Sequence, residues 1–269
     1  MTELAELVHI GAFGEEKWEC PFSHKKDPPP DQPNVMPPVD GKDKNDATKL
    51  GNNLDAESAG MEIIQIQCNV GGKAKPFDVQ YTPHHLIPGN ESWPETKLLR
   101  WVDKRDGHVN SDISYDINDA SNGVDLPGIH GIGSSSWSSK SPNFQTQYAF
   151  AAMAASSPKR QFHDRHPKYS AYVVNVLDAI AEKLDSKEEP SLPGCGKKHC
   201  GGSKEKPYDP PVGLLTRLES VARRLEGHLT GSEDNWQMPI FTSRFALMYK
   251  EKGGMTQDEA RTALSDFEV

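Results

Sequence analysis

Cysteine is scarce, apolar runs are short and positive charge is in deficit in this sequence of 269 residues. Four cysteines, at 20, 68, 195 and 200, are too few for a disulfide scaffold in a chain this long, so reduced thiols are the simplest expectation. Cys195 and Cys200 with His199, and Cys20 with His24, each offer only part of a zinc ligand set. No apolar stretch approaches the roughly 20 residues of a membrane span, which excludes a helical membrane protein. The start, MTELAELVHIGAFGEE, lacks the basic head and apolar centre of a signal peptide. The expectation is a soluble protein made in the cytoplasm; export, if it occurs, would use a route without a cleavable signal. Lys and Arg number 30 against 39 Asp and Glu, a net charge of −9, so no global basic field draws the chain to a polyanion. That counts against a passive nucleic-acid coat. It leaves room for an enzyme that holds one phosphate with a metal ion and a local basic patch. No fixed-period repeat is visible, which argues against a solenoid.

What is present begins with proline. Residues 21 to 60 hold Pro28-Pro29-Pro30, Pro33 and Pro37-Pro38, then a polar run through Gly51-Asn52-Asn53. This composition resists helix and strand alike, so residues 1–60 are expected to form an arm or linker, suited also to docking a partner. Order should start at Met61. Ile64, Ile66, Cys68 and Val70 alternate with polar residues, Gly71-Gly72 supplies a turn, and Phe77, Val79 and Tyr81 alternate again, the pattern of a hairpin. Glu95 to Asp103 reads as a short helix and Asp112 to Pro127 as loop and short strand. The Ala-rich stretch from Asn143 to Ala155 reads as helix. Tyr169, Tyr172, Val173, Val176, Leu177, Ile180 and Leu184 form one apolar stripe, with Pro167 in the first turn. Past a Gly-rich break, Leu214, Leu218, Val221, Leu225 and Leu229 mark another amphipathic helix, and Thr256 with Glu259 makes a capping box. The sum is α+β with helices in excess: an arm at 1–60, a core at 61–190 and a helical extension at 191–269.

The hairpin runs into Pro83-His84-His85-Leu86-Ile87-Pro88, two imidazoles side by side at the end of a strand pattern. Successive strand residues point to opposite faces, so one ring can bind a metal while its neighbour reaches a water. Ile117-Asn118-Asp119-Ala120-Ser121-Asn122-Gly123-Val124-Asp125-Leu126-Pro127 offers a polar loop leading into a short strand, of the kind Asn side chains hold rigid. His163-Asp164-Arg165-His166-Pro167-Lys168-Tyr169 then places two more histidines ahead of the amphipathic helix.

These three elements, in this order, resemble the His-Asn-His (HNH) and endonuclease VII superfamily, and most closely its AHH nuclease branch. The resemblance covers roughly residues 80 to 185, and the three motifs together are far more specific than any one. It implies a ββα-metal (His-Me finger) core with additional helices, clamping one divalent ion (Mg, Mn, Zn or Ni), and cleavage of DNA, or of RNA as the second choice. It also implies a toxin module of bacterial competition, such as a type VI secretion effector, guarded by an immunity protein. The amino-terminal arm would then contact the secretion apparatus or a chaperone. Carried over by position, His84 becomes a metal ligand, His85 the general base, Asn122 the residue that pins the base loop and His166 the second ligand. His163 is a third candidate. Pro83 departs from the family's Ala. Because Pro167 disfavours the α region for His166, His163 and His166 should not share a helical turn, and His166 belongs at the cap.

The plainer readings stand beside these. An isolated His-His pair is usually structural, Asn122 before Gly123 is an ordinary turn residue, and Asn118 fits a loop. Arg165 and Lys168 read as a solvated face, His130 as an exposed loop residue, and Trp93, Trp101, Trp137 and Trp236 as packing anchors. A non-catalytic module stabilised by metal is the alternative to the nuclease, although a structural zinc site normally closes with four ligands. A peptidase lacks its motifs.

Overall fold

The structure, a computed structural model, describes residues 45–57, 64–70, 73–129, 144–156, 159–188 and 207–253. The arm before residue 45, the Gly71-Gly72 turn, His130, Trp137, Cys20, Cys195, Cys200 and the Thr256–Glu259 capping box lie outside them. Six helices and four strands are present among the described residues, an α+β chain. They are α1 (Ala47–Glu57), β1 (Ile64–Val70), β2 (Lys73–Val79), β3 (Tyr81–His85), α2 (Leu99–Val102), β4 (Gly123–Pro127), α3 (Phe144–Ser156), α4 (Pro167–Glu188), α5 (Leu214–Leu229) and α6 (Arg244–Glu251). No helix among the described residues is long and apolar enough to cross a membrane.

The chain forms two compact units, one of Met1–Asp46, Ile87–Asn122 and Ser170–Arg223, the other of Ala47–Leu86, Gly123–Tyr169 and Arg224–Val269. In the first, Tyr172, Val173, Val176, Leu177, Ile180 and Leu184 are buried along α4, as the apolar stripe predicts. Two aspartates of that helix anchor the preceding loop. Asp178 accepts from the Thr96 hydroxyl at 2.7 Å and the Lys97 amide at 2.8 Å, and Asp185 accepts from Trp101 Nε1 at 3.0 Å and pairs with Arg100. The single short helix expected over Glu95 to Asp103 is instead two pieces, a 3-10 turn at Trp93–Glu95 with Pro94 in its first turn, and α2. Thr96, at φ −92° and ψ 143°, is extended and separates the two pieces.

In the second unit β1 and β2 pair antiparallel, from Ile64 opposite Val79 to Val70 opposite Lys73. After Gln80 the chain enters β3, which pairs antiparallel with β4, from Tyr81 opposite Pro127 to His85 opposite Gly123. The core gathers Val79, Tyr148, Phe150, Phe162, Trp236, Phe241, Phe245 and Tyr249, and the alanines of α3 keep that helix thin enough for its neighbours to approach.

The expectation of an irregular arm through residue 60 is corrected at Ala47–Glu57, which is helical. Leu50 of α1 is fully buried. A Cβ on Gly123 would stand 2.6 Å from Leu50 Cδ1, and one on Gly51 would stand 3.5 Å from Pro83 Cγ. Helix α1 therefore covers the β3–β4 ribbon, and glycine at 123 is what permits the close approach. Packing outweighs the poor intrinsic propensity of Gly51-Asn52-Asn53.

Candidate metal centre

Strand β3 sets the first donor. Its alternation sends Thr82 and His84 to one face and Pro83 and His85 to the other, where α1 lies against Pro83. Both histidines are buried, at 4% and 8% exposure. Residues 160 to 164 hold two isolated bridges, Arg160 with Thr230 and His163 with Gly128. The amide of His163 donates to the Pro127 carbonyl at 2.8 Å and the Ile129 amide donates to the His163 carbonyl at 3.1 Å, so His163 continues the ladder past the end of β4. A Cβ at Gly128 would meet the His163 carbonyl oxygen at 3.0 Å, its Cβ at 3.2 Å and Thr82 Oγ1 at 3.2 Å. A larger residue at 128 would require the segment to give way by a few tenths of an ångström. Three residues on, His166 precedes Pro167 at the start of α4, the cap position expected for it.

The result is a cluster of three imidazoles. Ring centroids lie 4.6 Å apart for His84 and His163, 5.0 Å for His84 and His166, and 5.1 Å for His163 and His166. One nitrogen from each falls within 4.8 Å of the other two. His163, the less secure ligand from sequence, is as much a member as His166. Three nitrogens bonded at about 2.1 Å to one tetrahedral ion lie about 3.4 Å apart. Binding an ion would therefore draw the rings together by up to about 1.4 Å from their present spacing.

Electrostatics favour the ligand form. Burial pushes the His84 pKa well below the ordinary histidine value, and the adjoining His163, His166 and His85 push it further down. The ring stays neutral, with a lone pair to give. Its Nε2 is buried and has no hydrogen-bond partner among the described residues. An unpaired buried nitrogen is costly, and a cation satisfies it. The donor set thus fits a divalent metal ion.

Asn122 lies in the first unit, in the 3-10 turn Ala120–Asn122, and is 1% exposed. Its Oδ1 accepts from the Ile87 amide at 2.9 Å, and its Nδ2 donates to the Ile117 carbonyl at 2.9 Å and the Ile87 carbonyl at 3.3 Å. The carboxamide is fully engaged in binding backbone. Asn118 is likewise structural: it accepts from the Asp46 amide at 2.9 Å. Arg165 and Lys168 are exposed, and Trp93, Trp101 and Trp236 are buried anchors.

One residue of the centre escapes sequence reasoning. Tyr169, legible only as part of an apolar stripe, is fully buried with its ring 5.5 Å from His84 and 5.4 Å from His166, and its hydroxyl donates to the Leu86 carbonyl at 2.6 Å. No local signal marks it, because its partner is 83 residues away.

Three histidines, with no fourth His, Cys, Asp or Glu in the group among the described residues, could hold a divalent cation at a site of the open kind, which would leave a position for another ligand. Residues 69–192 match the model of the AHH family, a nuclease family of the HNH/ENDO VII superfamily with conserved AHH. The matched segment includes His84, His85, Asn122, His163, His166 and Tyr169, and leaves out α1, α5 and α6. Pro83 stands here where the family's AHH has alanine. No curated protein and no solved structure matches the chain.

Proposed function

We propose that this protein is a metal-dependent endonuclease that hydrolyses phosphodiester bonds, of DNA ahead of RNA. The observation that carries the reading is the convergence of His84, His163 and His166 within a segment similar to nucleases. In this reading β3, β4 and the first turn of α4 form a ββα-metal unit. His84, His163 and His166 would hold one divalent ion, for which magnesium, manganese, zinc and nickel are the candidates. When bound, the ion supplies positive charge to the phosphoryl oxygens and the leaving oxygen.

The chain's own groups do the rest. His85, beside the ligand His84, takes the proton from the attacking water, a task suited to an imidazole near neutral pH. Asn122 fixes the backbone at Ile87, and the resemblance gives it the part of pinning the loop after the base. The neutral state of His84 keeps its lone pair available.

The biological setting is proposed from the resemblance to toxin nucleases. The protein would act as an antibacterial effector made in the cytoplasm and delivered into a target cell, with the segment before residue 45 meeting the secretion apparatus or a chaperone. A cognate immunity protein would cover the cleft, a prediction that co-purification from the producing cell tests.

The decisive experiment is incubation of supercoiled plasmid and of total RNA with the purified chain, with and without added divalent metal, beside His85→Ala. Metal-dependent cutting lost in the variant supports the endonuclease and names its substrate. Intact DNA and RNA under every metal sinks it in favour of a metal-stabilised binding module.

A further inference from the structure

Tyr169 is the third residue of α4 and touches the candidate centre in two chemically different ways. Its ring packs on both ligand histidines contributed by separate elements, at 57° to His84 of β3 and nearly edge-on, at 79°, to His166 ahead of α4. The three rings form a closed triangle, since His84 and His166 are themselves 5.0 Å apart. With Tyr169 fully buried, this wall is fixed by packing and leaves the two imidazoles little freedom to rotate.

The hydroxyl does something else. It donates, at 2.6 Å, to the carbonyl of Leu86, the residue directly after His85. Leu86 lies just beyond the end of β3, where the ribbon ladder closes at the His85–Gly123 pair. Its carbonyl would otherwise be a buried acceptor past the last ladder rung, and such groups are expensive to leave unmade. The bond therefore sets the direction in which the chain leaves His85.

We propose that Tyr169 is a positioning residue with two separable duties: its ring holds the His84–His166 pair in ligand geometry, and its hydroxyl holds the backbone that aims His85. The inference rests on the nuclease reading for the second duty, while the first concerns metal binding alone.

The test uses the full chain with Tyr169→Phe and Tyr169→Leu. Zinc or cobalt affinity is read by titration calorimetry, and kcat and KM are read on the nucleic acid that the wild type cuts. Tyr169→Phe keeps the ring and is expected to bind metal within about twofold of wild type, with KM unchanged and kcat lower by about tenfold from misalignment of the base. Tyr169→Leu removes the ring as well and is expected to weaken metal binding by about 10- to 100-fold, the range for lost outer-shell support. Should the Phe variant prove unstable, 4-aminophenylalanine at position 169 restores a donor to Leu86 and is expected to recover kcat.

Wild-type kcat in Tyr169→Phe overturns the hydroxyl duty and leaves the nuclease standing. Metal affinity in Tyr169→Leu equal to wild type overturns the ring duty. A wild-type chain that binds metal but cuts nothing overturns the nuclease reading, and the hydroxyl duty falls with it.

Discussion

Asn122 and Ile87 grip each other twice: the Ile87 amide donates to Asn122 Oδ1 at 2.9 Å, and Asn122 Nδ2 returns a bond to the Ile87 carbonyl at 3.3 Å. A third bond from the same Nδ2, to Ile117, ties the turn before β4 to the chain leaving β3. All of it is buried, so truncation strands a backbone amide and two carbonyls. Each stranded group costs about 1–3 kcal/mol. Asn122→Ala is expected to destabilise the chain by about 2 kcal/mol or more in urea melts and to speed hydrogen exchange at the Ile87 amide. Asn122→Asp keeps the acceptor but cannot donate to Ile117, so its exchange at Ile87 should stay slower than in Asn122→Ala. Equal exchange in wild type and Asn122→Ala would show that the side chain holds nothing.

The three-histidine cluster predicts an equal dependence on each member. Zinc at about 100 times its dissociation constant raises folding stability by about 2.7 kcal/mol when only the folded state binds it. The corresponding rise in melting temperature should vanish in His84→Ala, His163→Ala and His166→Ala alike, and persist in His85→Ala. Retention of the shift in His163→Ala would reduce the ligand set to His84 and His166. Gly128→Ala reaches the same end by another route. The added methyl pushes on the His163 carbonyl at 3.0 Å, which is backbone and gives way only by moving the segment, so weaker zinc binding is expected.

Metal-free protein should lose stability in acid partly through His84. Its folded pKa is depressed by burial first and by the neighbouring imidazoles second. Above the ordinary histidine value of about 6.5, both folded and unfolded chains keep the ring neutral, and nothing is lost. Below it the unfolded chain takes up a proton that the folded chain refuses, so stability falls as pH falls, by at most about 1.4 kcal/mol per pH unit. His84→Gln should show a flatter profile between pH 6.5 and 5 in chelator-treated urea melts. Parallel profiles for wild type and variant would mean that the His84 ring opens to solvent.

Much of this molecule is legible in its sequence where a periodicity is complete in itself. The β1–β2 pairing follows from alternation, and the buried stripes of α4 and α5 follow from apolar residues at helical spacing. Helix α1 is not legible, because Leu50 and Leu54 are its large apolar residues and the glycine it covers, Gly123, is some seventy positions away. His166 at the cap follows from Pro167. Membership of His163 does not, since what delivers it is a pair of backbone bonds to Pro127 and Ile129. Tyr169 looks like any stripe residue until its hydroxyl finds Leu86.

The segment after residue 224 lies outside the family-matched region, yet one buried glutamine makes it part of the same unit as the histidines. Gln161 is fully buried and satisfied at every position: Nε2 donates to the carbonyls of His228 at 2.9 Å and Ile240 at 3.0 Å, and Oε1 accepts from the amide of Thr242 at 3.0 Å and its hydroxyl at 3.3 Å. The backbone on either side is strapped to the same partners, with the Gln161 amide on Leu229 and the Asp164 amide on Thr242, both at 2.9 Å. His163 sits between those straps. Gln161→Leu preserves bulk but leaves two carbonyls and an amide unpaired, so a loss of about 3 kcal/mol is expected. Because the freed segment carries His163, zinc affinity should fall with it. Thr242→Val removes a single hydroxyl and should cost about 1 kcal/mol, with zinc affinity close to wild type. Full stability in Gln161→Leu would mean that residues 228–242 are an appendage; loss of both stability and zinc affinity makes them a wall of the centre, built from sequence that the family match does not reach.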